Sequence, residues 1–209
     1  MDINELDKLI EFIYNNFGLI NKNWENNKKY KKINMRKYMV SDIIEDNELL
    51  DIIYEYRNYV LNLYNGLLNG IASLNLNNKV EVRVKAYSSV QDKVNRYNEE
   101  KKHEYGKIPI NKCINDILGF RIIFNKDIDF IKTIDYINNK YTDLKCINSS
   151  KNGYIAIHVY FTKNDNYKFR WELQLWNSKD VENNKECHER YKQEYTKFEN
   201  ENEEDDKNV

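Results

Sequence analysis

The chain has 209 residues, 41% of them hydrophobic and 32% charged, with a formal net charge of −1. That length suits one sizeable domain, or one domain with helical additions. The near-neutral balance excludes a global basic field of the kind that holds nucleic acid nonspecifically, and no stretch approaches the ~18 apolar residues of a membrane span.

The elements follow from hydrophobic spacing. Ile3, Leu6, Leu9, Ile10, Ile13 and Phe17 recur at helical intervals. Residues 21–40 are rich in Lys and Asn and carry a weaker pattern. Leu49, Ile53, Tyr56, Val60, Leu63, Leu67 and Ile71 predict one long amphipathic helix over residues 46–73, ended by the Asn-rich stretch Asn75–Asn78. The first 78 residues (1–78) thus form a helical part expected to pack on the same domain.

A strand is predicted over Lys79–Ala86, then a helix capped by Ser88 or Ser89 and running to about Lys102. His103–Lys112 reads as a polar loop. Gly119–Phe124 is a strand, Asp127–Lys140 a helix and Leu144–Ile147 a short strand. Two longer strands, Tyr154–Thr162 and Tyr167–Trp176, are joined as a hairpin through Lys163–Asn166. The last helix is predicted from Ser178 to Phe198, closing a core over 79–198. Residues 199–209 form an acidic tail of disordered composition. Helices followed by β-α-β-α-β-β-β imply a mixed sheet and an α+β fold. The N-terminus lacks the pattern of a secretory signal. Cys113, Cys146 and Cys187 are widely spaced and odd in number, which fits a reducing cytoplasm.

Alternation along the strands sorts candidate site residues onto common faces. Arg83 and Lys85 share one face, Tyr154 and His158 another, and Arg170, Glu172 and Gln174 a third. On the following helix Ser89, Lys93 and Arg96 fall at spacings of four and three and line one side. There is no Walker loop and no GxGxxG, so phosphates would have to be held by side chains. Arg83, Lys85, Ser89 and Lys93 form a cationic corner suited to a triphosphate, or they simply face water. Asp116 and Glu172 bring two carboxylates from different strands, as a magnesium site requires. The bland alternative is a capping Asp116 and a Glu172 paired with Arg170. Arg121, close to Gly119, reaches phosphates, stacks on a base or pairs with Asp116. Tyr154 and His158 flank the small Ala156, leaving room for a flat ring.

In order along the chain, Arg83-Val84-Lys85 with Ser89 and Lys93, then Asp116-Ile117-x-Gly119-x-Arg121, Gly153-Tyr154-x-Ala156-Ile157-His158, Glu172-x-Gln174-Leu175 and His188-x-x-Tyr191-Lys192 resemble the synthetase motifs of the RelA/SpoT family. The resemblance runs from about residue 80 to 195. It implies a nucleotidyltransferase-like fold and transfer of the β,γ-pyrophosphate of ATP to the ribose 3′-hydroxyl of GDP or GTP. By the same resemblance Arg83, Lys85, Lys93 and Arg121 hold ATP and Asp116 ligates Mg2+. Glu172 is a second metal ligand or the base, Tyr154 stacks on the acceptor guanine, and His158 and Gln174 position the acceptor. None of His103, His158 and His188 is followed by Asp, so the hydrolase pair of long family members is not expected. The reading is a small, cytoplasmic alarmone synthetase, and small members are often homotetramers.

Two positions depart from the motifs. Ile155 stands where the family usually has Arg, and alternation points it into the core. Trp176-Asn177 stand where the family usually has Arg-Thr, and Trp176 falls on the cleft face. Related toxins of the family modify the 3′ end of tRNA instead, and Lys28–Lys37 is a Lys-rich segment that could touch such a partner. A nonenzymatic alarmone or RNA binder is the third reading. It needs cations but not paired carboxylates, so Asp116 and Glu172 favour an enzyme. Asp116→Asn or Glu172→Gln is expected to abolish turnover and leave the fold intact.

Overall fold

The computed structural model describes residues 3–29, 31–162 and 165–190. Helix α1 spans Ile3–Asn26 and is longer than predicted because Ile20, Asn21 and Trp24 continue its buried stripe. A polar residue on that stripe hides its extent. The Asn21 amide is satisfied by donating to the Phe17 carbonyl at 3.0 Å and accepting from the Tyr56 hydroxyl at 3.2 Å. Helix α2 is short, Val40–Glu45.

The single helix predicted over 46–73 is two helices, α3 (Asn47–Asn62) and α4 (Tyr64–Ser73), broken at Leu63. Asn62, Asn65, Gly66, Asn69 and Gly70 are weak helix formers, and the break lets α4 meet two neighbours. The Tyr64 hydroxyl donates to the Val82 carbonyl at 3.1 Å. At Gly70 a Cβ would lie 2.6 Å from the Phe12 ring of α1, so only glycine permits that approach.

Strand β1 is Lys79–Val84. Helix α5 covers Tyr87–Glu99 with Ala86 as its N-cap and no side-chain cap, so Ser88 and Ser89 lie inside the first turn rather than before it. The Lys85 N–H bonds the Ile117 carbonyl, which holds the chain extended until the helix starts. The predicted polar loop is structured. It holds a tight turn at Lys101–Gly106 and a one-turn helix, α6 (Ile110–Cys113), with Ile110 and Cys113 buried. Strand β2 is Leu118–Phe124, α7 is Phe130–Lys140 capped by Asp129, and β3 is Leu144–Asn148. Strand β4 is Ile157–Phe161 and β5 is Trp171–Asn177, both shorter than predicted. After a tight turn at Ser178–Asp180, residues 181–190 form helix α8. Lys163 and Asn164 of the hairpin turn, the end of the last helix with Tyr191 and Lys192, and the acidic tail lie outside the described residues.

The α+β class and the mixed sheet expected from the sequence are observed. The strand order is β1-β2-β5-β4-β3. Only β2 and β5 are parallel; the other neighbours are antiparallel. The back face carries Phe120, Ile122, Trp171, Leu173, Val159 and Phe161, buried in one apolar cluster with α1, α3 and α7. Phe17 of α1 meets Trp171 edge-on at 5.4 Å, and Trp171 donates its indole N–H to Tyr56 of α3 at 2.9 Å. No helix among the described residues is long and apolar enough to cross a membrane.

The register aligns the front face into rows. One row reads Arg83, Gly119, Glu172, Tyr160 and Lys145; the next reads Glu81, Arg121, Gln174, His158 and Ile147. All five strands thus deliver polar groups to one surface, and the central position of β5 puts Glu172 and Gln174 in its middle. Residue 155 does not follow the predicted alternation. Tyr154, Ile155 and Ala156 precede β4, and Ile155 is 37% exposed instead of pointing into the core. The cause is Asn184 of α8, which accepts from the Ile155 N–H and donates to its carbonyl, both at 2.8 Å. A side chain replaces the sheet partner, and the segment leaves the ladder.

Candidate active site

Asp116 lies just before β2 and is the hub of the cationic corner. Its Oδ2 accepts from Lys85 at 2.7 Å and its Oδ1 from Lys93 at 3.0 Å. All three side chains are nearly buried. Burial pulls the Lys85 ammonium below its ordinary value even beside Asp116, while Asp116 holds Lys93 above it despite burial. Burial also opposes the Asp116 charge, but Lys93 and Lys85 hold its carboxyl far below the usual carboxylate range. Asp116 therefore does not pair with Arg121, one of the partners open to it from the sequence.

This cluster opens on a cavity of about 350 Å³ that also receives Arg83, Ser89, Arg96 and His158. Arg83 is exposed and has no carboxylate partner among the described residues. Ser89 sits in the first turn of α5, whose start lacks a side-chain cap, so the positive end of the helix adds to the field there. Four of the predicted ATP ligands, Arg83, Lys85, Ser89 and Lys93, are thus brought together with both carboxylates.

Arg121 is placed differently. Its Nη1 donates to Glu81 at 3.1 Å, its Nε and Nη2 donate to the Gln174 carbonyl at 3.1 and 3.0 Å, and its guanidinium carbon lies over the Trp176 ring, 3.6 Å from the centroid. It lines a neighbouring cavity of about 510 Å³ that shares Arg83, Asp116 and Glu172 with the first.

Glu172 is paired with His158, not with Arg170. Its Oε2 lies 3.2 Å from His158 Nδ1 and its Oε1 accepts from Gln174 at 2.7 Å. The Tyr160 hydroxyl lies 3.2 Å from the same His158 nitrogen, and burial, with the Glu172 charge nearby, pushes its phenol up. Burial opposes the Glu172 charge, yet His158 and Gln174 hold the carboxyl below its ordinary value.

Tyr154 closes the other end. Its hydroxyl is 2.8 Å from His158 Nε2 and accepts from the Trp176 indole at 3.2 Å. His188 of α8 stacks on Trp176 with centroids 6.0 Å apart, and burial with Arg121 and Arg83 nearby lowers its imidazole to about 4. Trp176 is fully buried between Arg121 and His188. Beyond Tyr154 lies a cavity of about 330 Å³ lined by Lys151, Cys187, His188 and Arg190. His188 lines both this cavity and the cationic one.

Among the described residues no three of His, Cys, Asp and Glu cluster as a metal site. A divalent ion would have Asp116 and Glu172 alone, with substrate oxygens and water completing its shell, which is the habit of magnesium. Each carboxylate offers about four acceptor positions. Asp116 has given two to lysines and retains acceptor capacity facing the cavity, so the residues fit such an ion. Sequence reasoning missed Glu81 and Tyr160. Both were available from strand alternation, Glu81 two residues before Arg83 and Tyr160 two after His158.

Residues 82–196 match the family model described as the region found in RelA / SpoT proteins. Among solved structures, the chain is similar to small alarmone synthetase 1 from Bacillus subtilis bound to its product pppGpp, with 20% identity and a TM-score of 0.37 over 65% of this chain and 76% of that one. It is also similar to small alarmone synthetase 2 from Bacillus subtilis, with 19% identity and a TM-score of 0.36 over 74% of this chain and 81% of that one. Likeness at this level carries no functional inference. Comparison with curated proteins finds no match.

Proposed function

The chain belongs to the RelA/SpoT family, and from that premise we propose that it transfers the β,γ-pyrophosphate of ATP to the ribose 3′-hydroxyl of GDP or GTP. The observation that carries this reading is the Lys85–Asp116–Lys93 cluster, open to the same cavity as Arg83 and Glu172. Phosphoryl-type transfer asks a protein for charge neutralisation and in-line positioning more than for covalent help. Arg83, Lys85, Lys93 and Ser89 hold the triphosphate. Lys85 and Lys93 are already fixed by Asp116, so they meet the phosphate oxygens with little reorganisation. Asp116, with Glu172 beside it, would hold magnesium, which supplies charge neutralisation on the phosphate oxygens when bound. Arg121, locked by Glu81, Gln174 and Trp176, presents its remaining planar face to the adenine.

The acceptor enters the cavity beyond Tyr154, its base against the Tyr154 ring and its phosphates toward Lys151 and Arg190. Those two cations stand in for the arginine that Trp176 replaces. We assign the protein to the cytoplasm, where both nucleotides are available. The second reading is the 3′ end of tRNA as acceptor, because the buried Trp176 leaves its position without a cation for acceptor phosphates. The test offers γ-labelled ATP and magnesium with GDP, GTP and deacylated tRNA in parallel. Label on a guanine nucleotide supports the first reading, label on tRNA alone supports the second, and no transfer to any acceptor overturns both.

A further inference from the structure

Three neighbours leave Arg121 one free face. One edge of its guanidinium ends on Glu81 Oε2 at 3.1 Å, the other ends on the Gln174 carbonyl, and Trp176 covers the face beneath. A base resting on the remaining face lies inside the cavity of about 510 Å³ that Arg121 and Glu81 both line.

Position along β1 sets which end of a nucleotide Glu81 meets. Glu81, Arg83 and Lys85 alternate onto one face. Lys85 belongs to the phosphate corner with Asp116, and Glu81 is four residues away along extended chain, about 13 Å at the rise of a strand. A purine joins its ribose through its five-membered ring. A nucleotide whose phosphates sit at Lys85 therefore turns its six-membered ring toward the Glu81 end. In adenine that ring carries the amino group, a hydrogen-bond donor.

The other polar groups of this cavity are already engaged. Gln174 gives its carbonyl to Arg121 and donates to Glu172. The Tyr64 hydroxyl donates to the Val82 carbonyl. Asp116 and Glu172 stand at the phosphate end. Glu81 accepts from Lys79 at 2.7 Å through Oε1 and from Arg121 through Oε2, which leaves about two of the four acceptor positions of a carboxylate. Burial opposes its charge, but Lys79 and Arg121 hold the carboxyl below its ordinary value, so it is ionised and can only accept.

We propose that Glu81 is a specificity-determining residue of the donor site, whose carboxylate accepts a hydrogen bond from the 6-amino group of the adenine lying on Arg121. The inference rests on the pyrophosphate-transfer reading, which puts adenine on that face. Glu81 thereby has two roles, one fixing the edge of Arg121 and one reading the base, and the two are separable by the choice of donor.

The test measures kcat/KM for two γ-labelled donors with GDP as acceptor: ATP, and the triphosphate of unsubstituted purine riboside, which has hydrogen in place of the amino group. Wild type is compared with Glu81→Gln and Glu81→Ala. Strand β1 lies at the sheet edge and the Glu81 side chain is 35% exposed, so neither change disturbs the core. A hydrogen bond to a charged group is worth roughly tenfold or more, so wild type should prefer ATP by about that factor. Glu81→Ala should bring the two donors within about twofold of each other, and Glu81→Gln, which keeps a carbonyl acceptor, should retain part of the preference. If Glu81 only holds Arg121, both donors weaken equally and their ratio stays at the wild-type value, which overturns the proposal. Wild-type protein that uses the two donors equally well overturns it too. So does one that takes pyrophosphate from GTP as readily as from ATP, since guanine has an oxygen where adenine has the amino group. Those outcomes leave pyrophosphate transfer standing, whereas wild-type protein that transfers label from no donor to any acceptor refutes the underlying reading and this inference with it.

Discussion

Asp116→Asn separates what the sequence suggests from what the structure adds. From sequence, the change should stop turnover and leave the fold untouched. In the structure Asp116 is the counter-charge for two ammonium groups whose side chains are only 11% and 13% exposed. Removing one partner of a buried pair costs about 3–5 kcal/mol, because the remaining charge is left uncompensated. Asparagine keeps one carbonyl acceptor and both lysines have a narrow path to water, so the low end, about 3 kcal/mol, is expected. Domains have about 5–15 kcal/mol in hand, so the variant still folds, with its urea midpoint lowered by about 1–2 M. The pH dependence has a definite sign. The folded Asp116 carboxyl sits below its unfolded value, so its contribution is complete above the unfolded carboxylate range, near pH ~4, and is lost only as acid takes the pH down from there. The stability gap between wild type and variant should therefore be flat from about pH 5 to 8 and close only below about 4. Urea denaturation at several pH values, beside turnover under native conditions, measures both. A gap under about 1 kcal/mol, or one that closes between pH 8 and 5, would refute the ion-pair argument; wild-type turnover in the variant would refute the site.

Three further substitutions test the surrounding structure. Tyr56→Phe keeps the ring stacked on Phe169 but strips the Trp171 indole of its acceptor and Asn21 of a donor. It should cost about 2–4 kcal/mol of stability in thermal or chemical melts, from two buried groups left unmade, and leave the kcat of the folded protein unchanged. Trp176→Leu removes the face on which Arg121 rests; a desolvated cation–π contact is worth about 2 kcal/mol, so the KM for ATP should rise more than tenfold, and an unchanged KM would mean that Arg121 is held by Glu81 and Gln174 alone. Asn184→Ala frees both backbone groups of Ile155. Steady-state kinetics should show a higher KM for the acceptor than for ATP, since Tyr154 beside it is released; equal shifts in both would contradict the assignment of Tyr154 to the acceptor.

The legible part of this protein is what short-range periodicity encodes. Alternation put Arg83, Tyr154 with His158, and Glu172 with Gln174 on polar faces, and the register confirms that Arg83, His158, Glu172 and Gln174 share one surface. Helical spacing found α1 and α7, and it found α5 with Lys93 facing the site, because a helix face is a local property of the chain. The break at Leu63, the structured turn after α5 and the displacement of Ile155 were hidden. Each depends on a contact made far away, with Val82 and Phe12 for the first, with Met39 and Val40 for the second, and with Asn184 for the third.

The same division runs through the site. The sequence by itself determined which charged and aromatic residues could reach a cleft, since backbone geometry alone sends residues two apart in a strand to one side. Only the tertiary structure decided their partners: Asp116 with two lysines rather than Arg121, Glu172 with His158 rather than Arg170, and Arg121 over the ring of Trp176. Those choices turn on distances of about 3 Å between residues tens of positions apart. Such distances follow from the strand order β1-β2-β5-β4-β3, and that order is settled when the back face closes on α1 and α3.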